Sequence, residues 1–402
     1  MTHSYWQDVS IPFTKSDFTQ KKNFDVVIVG AGIAGLSTAY WLEKLNPNLK
    51  IVILDRASLG SGASGRNAGF VTCGSAEHFS KLEKQFGLAQ ATAIWKFSDT
   101  NRELLKSEII QGDSNLVDFS QTGSCTVAAS EADWQRYHGL TDTMLAADLD
   151  VELIDEKYLS EKYGVRNFLG AIQYKNDGEI HPIKLLAHLK TKLRQTKFSF
   201  DSGVTDLKRE TDSWVIKTSK DKLSCSKVIF CLNGYSDIVL PELKNVVNPQ
   251  RGQVIVTEPL KKFVQGPCYL TKHLCYFRQL PSGELLIGGF RNHDIEAENT
   301  NQDEVTPKIQ AALKEFAHSY FQNTSGVKIN YQWSGVMGFT TDGQMMLGEH
   351  PSKKDLYLMA GCSGHGMGLS FNAALTLVNN LNGQSIPPHL DIKRFNLDGA
   401  NQ

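Results

Sequence analysis

The run Phe24-Asp25-Val26-Val27-Ile28-Val29 and the glycines that follow it constrain this chain more than any other feature. The six residues are short, apolar and β-branched, with glycine as a boundary, which predicts a buried strand. From Ala34 to Asn46, Leu36, Ala39, Tyr40 and Leu42 recur at helical spacing, and Pro47 closes the segment. Lys50-Ile51-Val52-Ile53-Leu54-Asp55 then forms a second apolar strand that ends in an acid. Strand, helix and strand within about 30 residues make a βαβ unit.

Between the first strand and the helix lies Gly30-Ala31-Gly32-Ile33-Ala34-Gly35, a GxGxxG sequence. Its first glycine makes the turn, its second admits a pyrophosphate, and its third lets helix pack on strand. The phosphates would sit on the helix N-terminus, beside Ile33 and Ala34. A lone GxGxxG fits any glycine-rich turn. Here Asp55 lies 20 residues beyond Gly35, at a strand end where a ribose acceptor is required, and the combination predicts a dinucleotide site. Arg56 and the loop Gly60-Ser61-Gly62-Ala63-Ser64-Gly65-Arg66-Asn67-Ala68-Gly69 follow. They offer many backbone N–H groups to wrap a pyrophosphate and approach a ring system.

Beyond this unit the pattern reads as helical from Ala76 to Gln111, extended from Leu116 to Ala129, and helical again from Glu131 to Tyr163. A helix over Ile183 to Gln195 precedes strands at Lys197 to Val204, Trp214 to Thr218 and Lys227 to Leu232. Pro249 to Phe290 is strand-rich, with a hairpin turn at Pro281-Ser282-Gly283. Val305 to Phe321 is helical, and Met367 to Leu381 is a helix entered through a glycine run.

Composition narrows the classes. With 42 basic against 43 acidic residues there is no overall basic field to attract nucleic acid or an anionic membrane. Seven cysteines, at 73, 125, 225, 231, 268, 275 and 362, show no CxxC and no metal spacing, so they are expected to be free thiols in a reducing compartment. Met1 to Asn23, which includes Pro12, has no apolar core, and no uncharged stretch reaches the ~20 residues of a membrane span. A cytoplasmic protein is expected. No metal centre, Ser/His/Asp triad or paired-carboxylate signature is present in the sequence.

Several further motifs occur in order: Cys231-Leu232-Asn233-Gly234-Tyr235-Ser236, Arg251-Gly252-Gln253, Trp333-Ser334-Gly335-Val336-Met337-Gly338 through Asp342 and Gly348, and Gly361-Cys362-Ser363-Gly364-His365-Gly366-Met367-Gly368. With the fingerprint and the Gly60 loop, the chain resembles the FAD-dependent superfamily of D-amino acid oxidase, glycine oxidase and sarcosine oxidase. The similar GASGRNxG loop points to the gamma-glutamylputrescine oxidoreductase-like branch. The resemblance spans nearly the whole chain. It implies an α/β fold, with a Rossmann-type FAD-binding domain and a second, antiparallel-sheet α+β substrate domain. Residues 1–78, 172–236 and 335–402 would form the first, and 79–171 and 237–334 the second.

The resemblance also implies roles. Val204 would touch the adenine through its backbone, although by pattern alone it is a strand-end core valine. Gly364, His365, Gly366, Met367 and Gly368 would bring the positive end of the last helix to the flavin pyrimidine. His365 would add a hydrogen bond, or serve only as a loop histidine held by backbone. Asn233, Gly234 and Gly335 would join the cofactor-binding set.

Departures from the family matter as much. Where its amino-acid oxidases place a carboxylate-binding arginine, this chain has Met337. Arg278, two residues beyond Tyr276 and on the same strand face, is the candidate replacement, with a solvated strand residue as the plainer alternative. Tyr276 resembles a substrate-pocket tyrosine and equally suits a sheet aromatic. No cysteine lies near Gly335, so FAD is expected to be non-covalent, and the oxygen-activating lysine of sarcosine oxidases falls near Leu286. The acceptor is therefore oxygen or another carrier. The expected reaction oxidises a C–N bond of a small amine or modified amino acid by hydride transfer to flavin N5, giving an imine that hydrolyses. Two other classes remain open: an MnmC-like enzyme acting on tRNA wobble uridines, and an FAD-binding protein without turnover.

Overall fold

The computed structural model describes residues 2–9, 23–321 and 324–397. Pro12 and most of the stretch read for a leader lie outside them, as do residues 398–402 of the last expected cofactor segment. Two eight-stranded sheets organise the chain. In the first, Asn23–Val29 pairs in parallel with Ile51–Leu54 on one side and Lys222–Phe230 on the other. Lys197–Ser199 and Leu356–Ala360 extend the parallel array, Met346–Glu349 edges it, and the antiparallel strands Val204–Glu210 and Ser213–Thr218 join through Lys222–Phe230. Val27, Val52 and Val228 sit in register with no exposure, as strands covered on both faces require. Helices Ile33–Leu45 and Gly366–Leu381 pack together against this sheet. Trp41 fixes them by donating from Nε1 to the Phe371 carbonyl at 2.9 Å.

The second sheet runs in the order Ile329–Thr340, Val247–Pro259, Glu284–Gly288, Cys275–Gln279, Cys268–Leu270, Ser124–Ala128, Gly170–Tyr174, Val151–Asp155. Every pair is antiparallel except Cys268–Leu270 with Ser124–Ala128. Helix Pro307–Ser319 covers one face, where Leu313 and Phe316 meet Phe277 and Ile287. The hairpin turn at Pro281-Ser282-Gly283 is present, with Gln279 opposite Leu285 and Gly283 at φ +104°.

Several elements differ from expectation. The helical region Ala76 to Gln111 breaks at Gly87 (φ +82°) into Ala76–Phe86 and Leu88–Leu104, followed by a π-turn over Leu105–Ile110. The expected helix Glu131 to Tyr163 is interrupted by the strand Val151–Asp155, because that segment pairs with Gly170–Tyr174 and buries Val151 and Ile154. Tertiary pairing overrides local propensity there. Only Ser124–Ala128 of the extended stretch Leu116 to Ala129 is a strand. The strand expected to reach Val204 stops at Ser199, and Asp201 turns the chain at φ +51° so that Val204 opens the next strand. The boundaries expected at 172 and 335 fall inside strands of the second sheet, Gly170–Tyr174 and Ile329–Thr340. No helix among the described residues is long and apolar enough to cross a membrane.

Candidate cofactor and substrate site

A cavity of about 310 Å³ lies where the C-terminal end of the parallel sheet meets the second sheet. Gly30, Gly32, Ile33 and Ala34 line its nucleotide end. Gly30 adopts φ +113°, and a Cβ there would lie 2.6 Å from the Cys231 carbonyl oxygen. Gly35 does not line the cavity. It packs beneath, where a Cβ would lie 1.9 Å from the Gly30 carbonyl oxygen, so only glycine lets the helix start this close to the strand.

Asp55 is held as an acceptor at the end of Ile51–Leu54. Its Oδ2 accepts from Ala31 N at 2.7 Å and its Oδ1 from Ala57 N at 2.9 Å. Burial raises its carboxyl affinity for protons, while these two N–H groups oppose the rise. Beside it the Arg56 guanidinium lies 4.1 Å over the Tyr235 ring, and Val204 shares that end of the cavity. The three frame a slot suited to a flat, partly apolar ring.

The glycine-serine loop forms the next wall, with Ser61, Ala63, Ser64, Arg66, Asn67 and Ala68 on the cavity. Ser64 Oγ accepts from Ile33 N at 2.9 Å, which ties loop to helix start. Arg66 donates to the carbonyls of Ser61, Ser334 and Thr2 at 2.7–2.9 Å and pairs with Asp303 at 3.0 Å. Asn67 Oδ1 accepts from Gly69 N at 2.8 Å. Gly69 itself does not line the cavity. Its carbonyl accepts from Ile180 N, just beyond the short strand Gly178–Glu179 that pairs with Phe70–Val71.

At the far end Asn233, in the left-handed region at φ +48°, accepts from Gly361 N and Cys362 N at 3.1 Å each. It clips the end of Lys222–Phe230 to the C-terminal glycine loop. Gly234 lies off the cavity, against the Met337 carbonyl. Gly335, Met337, Gly364, His365, Gly366, Met367 and Gly368 all line it, and helix Gly366–Leu381 begins there with its positive end at the wall. His365 Nδ1 lies 3.0 Å from the Ser363 carbonyl oxygen. That carbonyl only accepts, so Nδ1 carries the proton and Nε2 is left as an acceptor. The His365 ring stacks on His78 at 4.3 Å, and burial lowers the proton affinity of both.

Tyr276 lines the cavity in an aromatic cluster, with Phe70 5.8 Å away and Tyr269 5.2 Å beyond Phe70. Tyr269 Oη lies 2.6 Å from Thr72 Oγ1. Burial pushes the Tyr276 phenol up to about 12, with Arg291 pulling the other way. Met337 presents an apolar side chain beside Gly252 and Gly364.

Arg278 is placed differently from the expectation. It shares a strand face with Tyr276, but two residues along the strand, about 7 Å, carry it past the cavity. There it is buried: Nη1 donates to the carbonyls of Ala68, Gly69 and Ile180 at 3.0–3.2 Å, and Nε lies 3.3 Å from Glu179. Its guanidinium staples the loop and faces no open space. Sequence reasoning also missed contributors. Tyr235 lay inside a quoted motif without being singled out. Phe70 and Tyr269 on the cavity, and His78 and Arg291 behind its wall against His365 and Phe339, carry no local signal, because only the folding of distant segments brings them together.

Comparison with known proteins agrees with this geometry. A model of the FAD dependent oxidoreductase (DAO) family matches residues 25–379. Gamma-glutamylputrescine oxidoreductase of Escherichia coli is 26% identical over 381 residues, covering 90% of this chain and 84% of that protein. Sarcosine oxidase subunit beta of Rhodobacter capsulatus is 24% identical over 353 residues, covering 82% and 78%. Among solved structures, glycine oxidase from Geobacillus kaustophilus superposes with a TM-score of 0.78 at 19% identity, covering 94% and 99%. L-proline dehydrogenase from P. horikoshii gives 0.77 at 17% identity, covering 94% and 98%. A fingerprint, an acid-ended strand and a glycine-led helix converging on one cavity, in a chain matched by the family over most of its length, make this protein a member of the DAO family of FAD-dependent oxidoreductases.

Proposed function

We propose that the chain oxidises the C–N bond of an amine or modified amino acid, with non-covalent FAD in the cavity and the two sheets as the cores of a cofactor domain and a substrate domain. One observation carries this reading: a single cavity joins the nucleotide fingerprint to the aromatic cluster of Phe70, Tyr269 and Tyr276. Bound FAD supplies the two-electron acceptor for the hydride on the carbon next to nitrogen.

The chain's own residues do the rest. Gly30 to Ala34 and the Gly60 to Ala68 loop take the pyrophosphate, Asp55 takes a ribose hydroxyl, and Val204 with the Arg56–Tyr235 pair brackets the adenine. Phe70, Tyr269 and Tyr276 exclude water from the reacting carbon and orient the substrate. The start of helix Gly366–Leu381 favours negative charge at the cavity wall. His365 Nε2, with its tautomer set through Ser363, accepts a hydrogen bond from the N–H of the neutral amine and so orients it as it loses hydride. Loss of hydride leaves an iminium, and water converts it to a carbonyl and ammonia or an amine.

The test is an anaerobic screen of the purified flavoprotein against polyamines, N-methyl amino acids, gamma-glutamyl amines and D-amino acids. Bleaching of the visible flavin band by a subset is the expected result, and acid precipitation should release the flavin to the supernatant. A protein without a flavin spectrum after FAD is supplied overturns the reading. Bound flavin that none of the panel reduces assigns the FAD a structural role. Readmitting air separates oxygen from another carrier as acceptor.

A further inference from the structure

Resting on that amine-oxidising reading, we propose that Arg291 binds a carboxylate carried by the substrate, in place of the cation that Met337 does not supply. The placement comes from an unusual turn. After Glu284–Gly288, Gly289 takes φ +123° and Phe290 takes φ +62°, a left-handed conformation that is strained for a bulky residue. Phe290 is buried between His273 at 5.3 Å and Phe316 at 5.5 Å, and its N–H donates to the His273 carbonyl at 3.0 Å. Those contacts hold the turn, which brings Arg291 back towards the substrate end.

The guanidinium rests 5.1 Å from the centre of the Phe339 ring, whose edge borders Gly364. Phe339 and Met337 alternate on one strand, so both side chains lie on the same face. The charge of Arg291 acts on Tyr276 and on His365, both lining the cavity. Arg291 is half-buried, and among the described residues it has neither an ion pair nor a hydrogen bond. The other buried arginines are all paired: Arg66 with Asp303, Arg102 with Asp177, Arg251 with Glu298, Arg278 with Glu179. Burial lowers the proton affinity of Arg291, with Tyr276 opposing the shift. A carboxylate relieves that cost, because a guanidinium fork accepts it through two parallel hydrogen bonds. The substrate class is thus an amine that also bears a carboxylate, held between Arg291 and the Tyr276 phenol.

Acetate, glutarate and benzoate, each beside its primary amide, would be titrated into the FAD-loaded wild type, Arg291→Gln and Arg291→Lys. Binding is read both from the flavin spectrum and, independently of flavin, from the thermal shift. Wild type should bind at least one carboxylate more tightly than its amide. Arg291→Gln should lose about 10- to 100-fold in carboxylate affinity, the scale of a charged hydrogen bond, with amide affinity unchanged. Arg291→Lys should recover part of the loss. Wild type that prefers no carboxylate to its amide, or equal affinities in wild type and Arg291→Gln, overturns the proposal, and the wild-type comparison stands even if a variant fails to fold. A protein that reduces flavin with amines yet shows no such discrimination refutes only this inference, whereas one that retains no FAD refutes the function it rests on.

Discussion

Replacing Arg278 by methionine separates a structural arginine from a ligand-binding one. Arg278 and Glu179 expose only 2% and 5% of their side chains, and Glu179 Oε2 has no hydrogen bond beyond its 3.3 Å ion pair with Arg278. The substitution strands a carboxylate in the interior, and removing one partner of a buried pair costs about 3–5 kcal/mol. The carbonyls of Ala68, Gly69 and Ile180 lose their shared donor as well. The urea midpoint should fall by roughly 1 M or more, followed through tryptophan fluorescence. Trp6 is a suitable reporter, since its ring lies 5.6 Å from the guanidinium. Arg278→Met with Glu179→Gln should recover part of the loss by removing the orphaned charge. KM for an amine substrate, measured at low urea on folded protein, should change less than twofold. Unchanged stability with a KM raised tenfold would refute the structural assignment and return Arg278 to the substrate.

Gly35→Ala forces a Cβ to 1.9 Å from the Gly30 carbonyl oxygen, so the protein should purify without visible flavin absorbance; full flavin content would contradict the close packing. Asp55→Asn keeps one acceptor but exchanges a charged for a neutral hydrogen bond, and FAD affinity by fluorescence titration should fall by about tenfold or more. His181 caps helix Pro182–Lys192 by accepting from Lys184 N, and burial, aided by Lys184, lowers its pKa to about 4. A folded pKa below the ordinary 6.5 means this contribution is complete above 6.5 and is lost as pH falls towards 4. His181→Asn keeps a cap that does not titrate and should flatten the acid side of a stability profile, leaving the slope due to His389, which titrates in the same window.

The parts of the site built from contiguous chain are legible in the sequence alone. Gly30 to Gly35, Asp55 and the loop to Gly69 owe their roles to backbone conformation and short spacing, which a sequence carries directly. Met337 is legible as an absence: an apolar residue at a position where the resemblance implies a cation. Helix boundaries are less so. Val151–Asp155 reads as helix until Gly170–Tyr174 offers it a ladder, and Val204 reads as the end of one strand although Asp201 makes it the start of another.

The arginines mark the limit of such reading. Arg278 and Arg291 flank the same hairpin, and period-two alternation puts Arg278 on the correct face beside Tyr276. Alternation says which face a side chain takes, but not what stands opposite each point along it. That is decided by the Ala68–Gly69 loop and Glu179 closing over Arg278, and by the strained turn at Phe290 returning Arg291 towards Tyr276 and His365. Cofactor recognition follows from local chain geometry, whereas substrate recognition depends on charges that distant segments bring together, and only the tertiary structure assembles those.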